Sequence, residues 1–260
     1  MVGAAPKLLG LIGYGALARH IAAAFPPSEA HWVVLVRSDI VAPPAHVRIV
    51  RSLAEMVQAS PLAVVEAASP SAVAECLPTL LRAGVPTVIA SVGALADSEL
   101  RARLKAASEA SGAPLVTPSG AIGGLDYIAA IAHVPGASVR YTSRKPFSAW
   151  REELDALGRA VSPTEVVLFE GTPAEAARRY PKNLNVAVTL ALAAHPAAVV
   201  VRIVADPSIA TNTHEVDVDS AVGTATLRFA NLPSPDNPKT SQLTGLSMLA
   251  ALRKLIEARS

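Results

Sequence analysis

The sequence is short of several residues and features on which whole classes of protein depend. Its 260 residues contain one cysteine, Cys76, which excludes an internal disulfide and a cysteine-rich metal site. The formal net charge of +2 is too small to favour a nucleic acid or a membrane surface as partner. No apolar run reaches membrane-spanning length, and the N-terminus lacks the pattern of a signal peptide. We therefore expect a cytoplasmic protein with no bound metal and no nucleic-acid or membrane partner.

Aromatic side chains are also scarce, at 4% of the chain, although 51% of the residues are hydrophobic. The core is therefore expected to consist mainly of alanine, valine and leucine. A chain of this length suggests one large domain or two small ones.

Apolar runs alternate with helical patterns over the first 118 residues. This alternation favours a parallel sheet that helices cover on both faces. The predicted strands are 8–12, 31–37, 47–50, 62–67, 86–91 and 114–117, and the predicted helices start after Gly15 or cover 71–82 and 97–110.

The pattern changes after residue 118, where strands follow one another without full helical crossovers. It predicts an antiparallel or mixed sheet with helices on one face. The predicted strands are 139–143, 165–171, 198–205, 214–219 and 224–230, and the predicted helices lie near 150–157 and 185–194. The tail, 240–259, has helically spaced leucines at 243, 246, 249, 252 and 255. We predict domains at 1–118 and 119–239 and a C-terminal helix at 240–260.

A glycine turn with the spacing G-x-G-x-x-A joins the first strand to the first helix. Gly13 permits a tight turn, Gly15 leaves room for a pyrophosphate, and Ala18 lets the helix pack closely. The helix start offers backbone N–H groups to the phosphates. We predict a dinucleotide site with contacts at Gly13, Gly15, Ala16 and Leu17; the alternative is a plain glycine turn in an α/β protein.

The end of the second strand indicates which nicotinamide cofactor the site prefers. A carboxylate there normally binds the ribose hydroxyls of NAD. This strand ends in Arg37 and Ser38, and Asp39 comes slightly late. Arg37 and Ser38 would suit a 2′-phosphate, so we favour NADP, or use of both NADP and NAD, over strict NAD. The alternative is that Arg37 is simply solvated.

His214 is the histidine whose position suggests chemistry. In a strand, alternate residues share a face, so Asn212 and His214 are expected to point inward while Glu215 points to water. A titratable ring on the covered face beside an amide suits proton transfer near neutral pH. The alternative is a structural interior histidine. We interpret the other five histidines as structural or solvated.

Three further stretches contain candidate ligands. Ser119, in a glycine-rich segment after the sixth strand, is expected to cap a new helix and to lie beside a ligand, unless the segment is only a hinge. Asn183 and Asn185 precede a helix, where they are either caps or contacts of the nicotinamide amide. Lys239, in the proline-rich segment 231–241, could hold a carboxylate, unless that segment is simply a loop.

Taken together, these segments resemble the L-aspartate dehydrogenase family over nearly the whole chain. The segments that carry the resemblance are IGYGALA (12–18), ASVGALAD (90–97), PSGAIGGLD (118–126), TSRKPFSAW (142–150), YPKNLNVA (180–187), ADPSIATNTHEV (205–216) and NPKTSQLTGLS (237–247).

The resemblance implies an N-terminal Rossmann domain, with a doubly wound parallel sheet, and a smaller α+β catalytic domain with a mixed or antiparallel sheet. It implies a C-terminal helix that returns to the first domain. It also implies His214 as the active-site residue and cofactor contacts at Ala121 and Asn185, with Asn183 in reserve. We add Ser91, in the second of these segments, as a cofactor contact.

The activity expected from this resemblance is oxidation of L-aspartate by NAD(P)⁺ to iminoaspartate. That product can hydrolyse to oxaloacetate and ammonia or feed NAD synthesis, and reductive amination is the reverse reaction. Lys145, Arg144 and Lys239 are candidates for the substrate carboxylates, and Ser119 and Asn212 are further substrate contacts. We expect a homodimer. The alternatives are another nicotinamide-dependent reductase of a small acid and a non-catalytic NAD(P)-binding sensor.

Overall fold

A computed structural model describes residues 5–180, 185–235 and 237–259 of the chain. The chain divides into two compact units. The first consists of Met1–Pro118 together with Gly245–Ser260, and the second of Ser119–Thr244.

The strands of the first unit are β1 (Lys7–Ile12), β2 (Ala30–Leu35), β3 (Val47–Val50), β4 (Val64–Glu66), β5 (Thr87–Ile89) and β6 (Leu115–Val116). Within the described residues they form a six-stranded parallel sheet in the order β3-β2-β1-β4-β5-β6. Consecutive residues of β1 and β4 are buried, so both faces of the sheet are covered, as the continuous apolar runs predict. The order reverses between β1 and β4, the point at which sheets of this kind bind ligands. The predicted doubly wound parallel sheet is confirmed.

The helices of this unit are α1 (Ala16–Ala23), α2 (Leu53–Gln58), α3 (Pro70–Arg82), α4 (Ser98–Ser111) and α9 (Gln242–Glu257), of which the last begins in the second unit. Helix α2 was not predicted from the sequence. Ser52 caps this helix by accepting a hydrogen bond from the Glu55 amide, but Met56 is its one buried residue. A six-residue helix that buries one side chain leaves almost no periodic signal.

The strands of the second unit's larger sheet are β7 (Ser138–Pro146), β8 (Val166–Gly171), β9 (Ala198–Asp206), β10 (Thr213–Ser220) and β11 (Gly223–Ala230), and the helices are α5 (Leu125–Ile131), α6 (Arg151–Ala156), α7 (Pro173–Arg179) and α8 (Asn185–Ala194). These strands form a five-stranded mixed sheet in the order β11-β10-β7-β9-β8. Strands β7 and β9 are parallel, whereas the other neighbours are antiparallel. The prediction of an antiparallel or mixed sheet is therefore confirmed as mixed.

Two differences from the predicted elements matter for the site. Strand β7 extends three residues beyond the predicted end at Ser143, and this extension places Lys145 inside the sheet. The proline-rich segment 231–241 was expected to be a loop, but it contains two short paired strands, β12 (Pro233–Ser234) and β13 (Asn237–Ser241).

The C-terminal helix α9 buries a different stripe from the one that its leucines suggest. Met248 and Leu252 are fully buried in the core of the first unit, whereas Leu246 is 50% exposed. The leucines recur every three residues, so on a helix of 3.6 residues per turn they drift around the surface. The buried stripe instead follows Gly245, Met248, Leu252, Leu255 and Ile256.

This difference within one helix gives a stability test. Leu252→Ala should lower the free energy of unfolding by about 2–5 kcal/mol, because it removes a fully buried side chain. The control Leu246→Ala should change it by less than about 0.5 kcal/mol. The measurement is urea unfolding of both variants. Equal losses would show that α9 does not pack as described.

Candidate active site

The glycine turn between β1 and α1 has the geometry of a phosphate cradle. Gly13 has a φ of 85°, and a Cβ there would lie 2.9 Å from the carbonyl oxygen of Ala67 and from the Cβ of Ala68. A Cβ at Gly15, by contrast, would meet no atom of the described residues within 4 Å, so the space beside its backbone is open there. Gly15 is the N-cap of α1 and makes no side-chain cap bond. The turn therefore fits a pyrophosphate bound to the backbone N–H groups of the helix start, where Ala16 and Leu17 lie.

A cavity of about 920 Å³ opens beside this turn, within the first unit. This volume is within the usual range for a small-molecule or cofactor site. Its charged lining residues are Arg19, Arg37, Asp39, Arg51 and Glu75, three cations against two anions. Ser38 and Cys76 also line it.

Both carboxylates in this cavity are paired with arginines. A Glu75 oxygen lies 2.5 Å from an Arg37 nitrogen, and Asp39 pairs with Arg51. The guanidinium of Arg51 also donates to the backbone oxygen of Ser38, at 2.6 Å. These two pairs balance, so the one cation in excess around the cavity is Arg19 on α1.

The carboxyl ends of β4 and β5 are tied together by Glu66, a residue that the sequence analysis missed. This side chain is fully buried and accepts four hydrogen bonds. Its Oε1 accepts from the backbone N–H groups of Ala68 (2.8 Å) and Ser69 (2.9 Å) and from the Ser91 hydroxyl (3.0 Å). Its Oε2 accepts from the Ser91 N–H at 2.9 Å. Ser91, predicted to contact the cofactor, is therefore held by Glu66.

In the second unit, His214 lies on the covered face of β10, as the predicted alternation requires. Its Nδ1 is 2.8 Å from the hydroxyl of Tyr141 on the neighbouring strand β7. Burial, reinforced by the charge of Lys145, lowers the pKa of His214 to about 4. The ring is therefore uncharged near neutral pH. Tyr141 is 1% exposed, and burial raises the pKa of its phenol.

Lys145 shares the β7 face of Tyr141, because the two residues are four apart in a strand. Its Nζ lies 5.5 Å from the ring centroid of Trp150, and burial lowers its pKa. The fold thus brings together a neutral imidazole and a partly desolvated ammonium. Both residues were predicted from the sequence as site residues, whereas Tyr141 and Trp150 were not.

Arg144 points away from this face and is already neutralised. Its guanidinium lies 2.6 Å from Glu215 and 3.4 Å from Asp206, and it also pairs with Glu165. Three carboxylates around one arginine leave no excess positive charge for a substrate. The structure therefore disfavours Arg144 as a substrate ligand and leaves Lys145 as the better candidate.

The glycine-rich segment after β6 differs from its prediction in one respect. Ser119 does not cap the following helix, because α5 begins at Leu125 with Gly124 as its N-cap. Gly124 has a φ of 72°, where glycine is favoured, and a serine six residues before the helix cannot reach its first turn. Ala121 is buried, and its carbonyl oxygen accepts a hydrogen bond of 2.7 Å from the Asn231 amide.

The other predicted site residues are placed as follows. Asn185 is the first residue of α8, and Asn212 is a half-buried residue that directly precedes β10. Asn183 lies outside the described residues. Lys239 belongs to β13, but its side chain lies outside what the structure describes.

Comparisons with known proteins assign a family to this arrangement. A family model described as "Aspartate dehydrogenase, C-terminal" matches residues 126–255, and one described as "Homoserine dehydrogenase, NAD binding domain" matches residues 13–118. L-aspartate dehydrogenase 2 of Bordetella bronchiseptica is 44% identical over 257 residues, which cover 95% of this chain and 96% of that protein. The chain belongs to the L-aspartate dehydrogenase family.

Two further relatives agree. L-aspartate dehydrogenase of Ruegeria pomeroyi is 40% identical over 254 residues, which cover 95% of this chain and 91% of that protein. The crystal structure of aspartate dehydrogenase from Thermotoga maritima superposes with a TM-score of 0.75 at 28% identity and covers 98% of this chain and 97% of that one. Membership of this family makes the chain an oxidoreductase with NAD or NADP as its cofactor. A search of the described residues for a helix long and apolar enough to cross a membrane found none.

The four hydrogen bonds by which Glu66 clamps the segments after β4 and β5 can be tested by one isosteric substitution. Glu66→Gln turns an acceptor-only group into one whose amide nitrogen faces other donors. We expect the free energy of unfolding to fall by about 1–3 kcal/mol, the usual penalty for buried polar groups left unsatisfied. The control Glu109→Gln, which breaks an exposed pair with Lys105, should cost less than about 0.5 kcal/mol. Equal stabilities of the two variants in denaturant unfolding would argue against the clamp.

Proposed function

We propose that this chain oxidises L-aspartate with NAD(P)⁺ to iminoaspartate, which hydrolyses to oxaloacetate and ammonia or feeds NAD synthesis. Reductive amination of oxaloacetate is the reverse reaction. One observation carries the proposal: His214 on β10 and Lys145 on β7, both half-buried, share one covered face of two paired strands in the second unit. Burial keeps the imidazole uncharged and disfavours the ammonium. A dicarboxylate with an ionisable nitrogen is the kind of substrate that such a pair would bind.

Binding of the substrate follows from charge. Burial disfavours the Lys145 ammonium, so a substrate carboxylate beside it restores the stabilisation that water no longer gives. Ser119, Asn212 and Lys239 are further candidates for holding the substrate. Asn212 is the one nearest in sequence to His214, which it precedes by two residues.

His214 is the residue to which we assign the proton of the amino group or of the attacking water. A bound nicotinamide cofactor would supply the redox chemistry, acceptance of the hydride from the α-carbon. The protein would orient the reactants: the glycine turn with Ala16 and Leu17 would hold the pyrophosphate, and Ser91, Ala121, Asn183 and Asn185 are proposed to contact the rest of the cofactor.

Two other functions are weaker. A non-catalytic NAD(P)-binding sensor has no need of a neutral histidine beside a partly desolvated lysine. A reductase of another small acid would use the same groups. A screen of amino acids and 2-oxo acids with both cofactors, followed by the absorbance of the reduced nicotinamide, separates that possibility from aspartate oxidation.

We also propose a cytoplasmic homodimer. Val167 and Val200, on the adjacent strands β8 and β9, are 43% and 36% exposed, and a second subunit would remove such side chains from water. Sedimentation velocity of the purified chain tests the oligomeric state.

Cofactor preference can be tested with two substitutions that should change the affinity for NADPH in opposite directions. If Arg37 reads the 2′-phosphate, Arg37→Asp should weaken NADPH binding far more than NADH binding. Glu75→Gln removes the carboxylate that pairs with Arg37, so it should strengthen NADPH binding relative to NADH. Dissociation constants by titration calorimetry decide the point. Equal effects of each change on both cofactors would exclude Arg37 as the residue that reads the phosphate.

The role of His214 is tested by turnover. His214→Ala should lower kcat by about 10²–10⁴-fold, the scale of general acid–base catalysis, while NAD(P)H affinity changes little. His214→Asn keeps a polar group that cannot titrate and should lose turnover similarly. Because the pKa of His214 is about 4, the pH profile of the ligand-free enzyme should show no inflection from this ring between about pH 6 and 8.

Two outcomes would contradict this assignment. A folded His214→Ala variant with wild-type aspartate turnover would exclude any role in the reaction. A variant that loses its thermal transition would instead favour a structural histidine, and His214→Asn then separates the two explanations because it preserves more of the ring's volume.

A further inference from the structure

Two hydroxyl groups of β7 lie behind the His214 ring. Tyr141 and Ser143 are two residues apart in the strand, so their side chains share the face that carries Lys145. Ser143 is the direct partner of His214 in the pairing of β7 with β10. Tyr141 and Ser143 are 1% and 3% exposed, so water does not compete for their hydroxyls.

The contact between Tyr141 and His214 is well formed. The phenol oxygen lies 2.8 Å from Nδ1, the usual length of a hydrogen bond from a hydroxyl. The two ring planes differ by 18°, with centroids 6.0 Å apart. One ring nitrogen is thus engaged inside the protein, which leaves Nε2 for other contacts.

Two arrangements of hydrogen would satisfy this distance. Either the phenol donates to Nδ1, and the ring carries its hydrogen on Nε2, or Nδ1 carries the hydrogen and donates to the phenol oxygen. In the second arrangement the hydrogen of the phenol would need another acceptor. A buried hydroxyl without an acceptor is costly, so the surroundings of the phenol decide between the two.

The geometry around the phenol decides between them. Among the described residues, the hydrogen bond with a defined geometry that the Tyr141 hydroxyl makes is the one to Nδ1 of His214. The second arrangement would leave the hydrogen of a buried phenol without an acceptor, so the phenol donates to Nδ1. Donation therefore runs from Tyr141 to His214.

We propose that Tyr141 is a positioning residue that holds His214 as the neutral tautomer with its hydrogen on Nε2. The proposal rests on the proposed function only for the role of the ring. In this tautomer Nε2 carries a hydrogen and cannot take up another, so His214 handles the proton of the amino group as a donor: it donates a hydrogen bond to an oxygen or an imino nitrogen of the substrate. A neutral histidine used as such a donor is an established way to polarise a C=O or C=N bond.

The direct test is NMR of the full chain labelled with ¹⁵N-histidine, near pH 7.5 and without ligand. Correlations between the carbon-bound hydrogens of the ring and its two nitrogens distinguish the tautomers. The spectrum of His214→Asn identifies which of the six histidine signals belongs to His214. We expect a protonated Nε2 and an unprotonated Nδ1. A ring protonated on Nδ1, or on both nitrogens, would overturn the proposal.

A variant tests the cause. Tyr141→Phe removes only the hydroxyl, so we expect His214 to populate both tautomers and kcat to fall about tenfold, or about 1.4 kcal/mol in the barrier. The KM for NADPH should not change. An unaltered tautomer ratio in a folded Tyr141→Phe protein would overturn the proposal.

Tyr180→Phe is the matched control. Tyr180 is another buried tyrosine of the same core, and its hydroxyl donates to the backbone oxygen of Leu168 at 3.3 Å. Tyr180→Phe should lower the stability about as much as Tyr141→Phe but leave the His214 spectrum unchanged. If it changes the tautomer ratio as Tyr141→Phe does, the effect comes from a general loss of core packing, and the specific role of Tyr141 is overturned. If Tyr141→Phe does not fold, the wild-type spectrum still decides. That spectrum needs no turnover, so failure of aspartate as substrate and failure of this proposal are distinguishable.

Discussion

The carboxylate of Glu66 must be satisfied by hydrogen bonds, because it is fully buried at the end of a strand next to the point where the sheet order reverses. The four donors that satisfy it come from the segments after β4 and β5. The segment after β4 also packs against Gly13, where even one methyl group would lie 2.9 Å from Ala67 and Ala68. The shape of the phosphate cradle and the position of Ser91 therefore depend on one buried charge.

The second unit solves a different electrostatic problem. Lys145 and His214 would repel each other if both were charged, and burial removes the water that would screen them. This repulsion does not arise near neutral pH, because the imidazole is uncharged there. The carboxylate of an anionic substrate would stabilise the ammonium of Lys145. The partly desolvated ammonium of Lys145 is thus a source of affinity for a small dicarboxylate.

The parts of the molecule that local sequence patterns encode were predicted well. The strand β3 and the helix α8 have the predicted bounds, and the doubly wound sheet follows from continuous apolar runs between helices. The burial of α9 was predicted less well, because a leucine at every third position resembles helical spacing without matching it. The short helix α2 and the pair β12–β13 bury too little to leave a periodic signal. Glu66 did leave a signal, a single carboxylate in the apolar run LAVVEA, which could have been recognised as a buried group that needs donors.

The Tyr141–His214 pair could not be found in that way. The two residues are 73 positions apart, and their contact depends on the register between β7 and β10. A shift of one residue in that register would turn one side chain to the opposite face. A backbone site such as the glycine turn can be recognised from adjacent residues, because one segment supplies every donor. A site built across two strands depends on how those strands pair. His214 could therefore be predicted from the sequence, but Tyr141, the residue that orients it, could not.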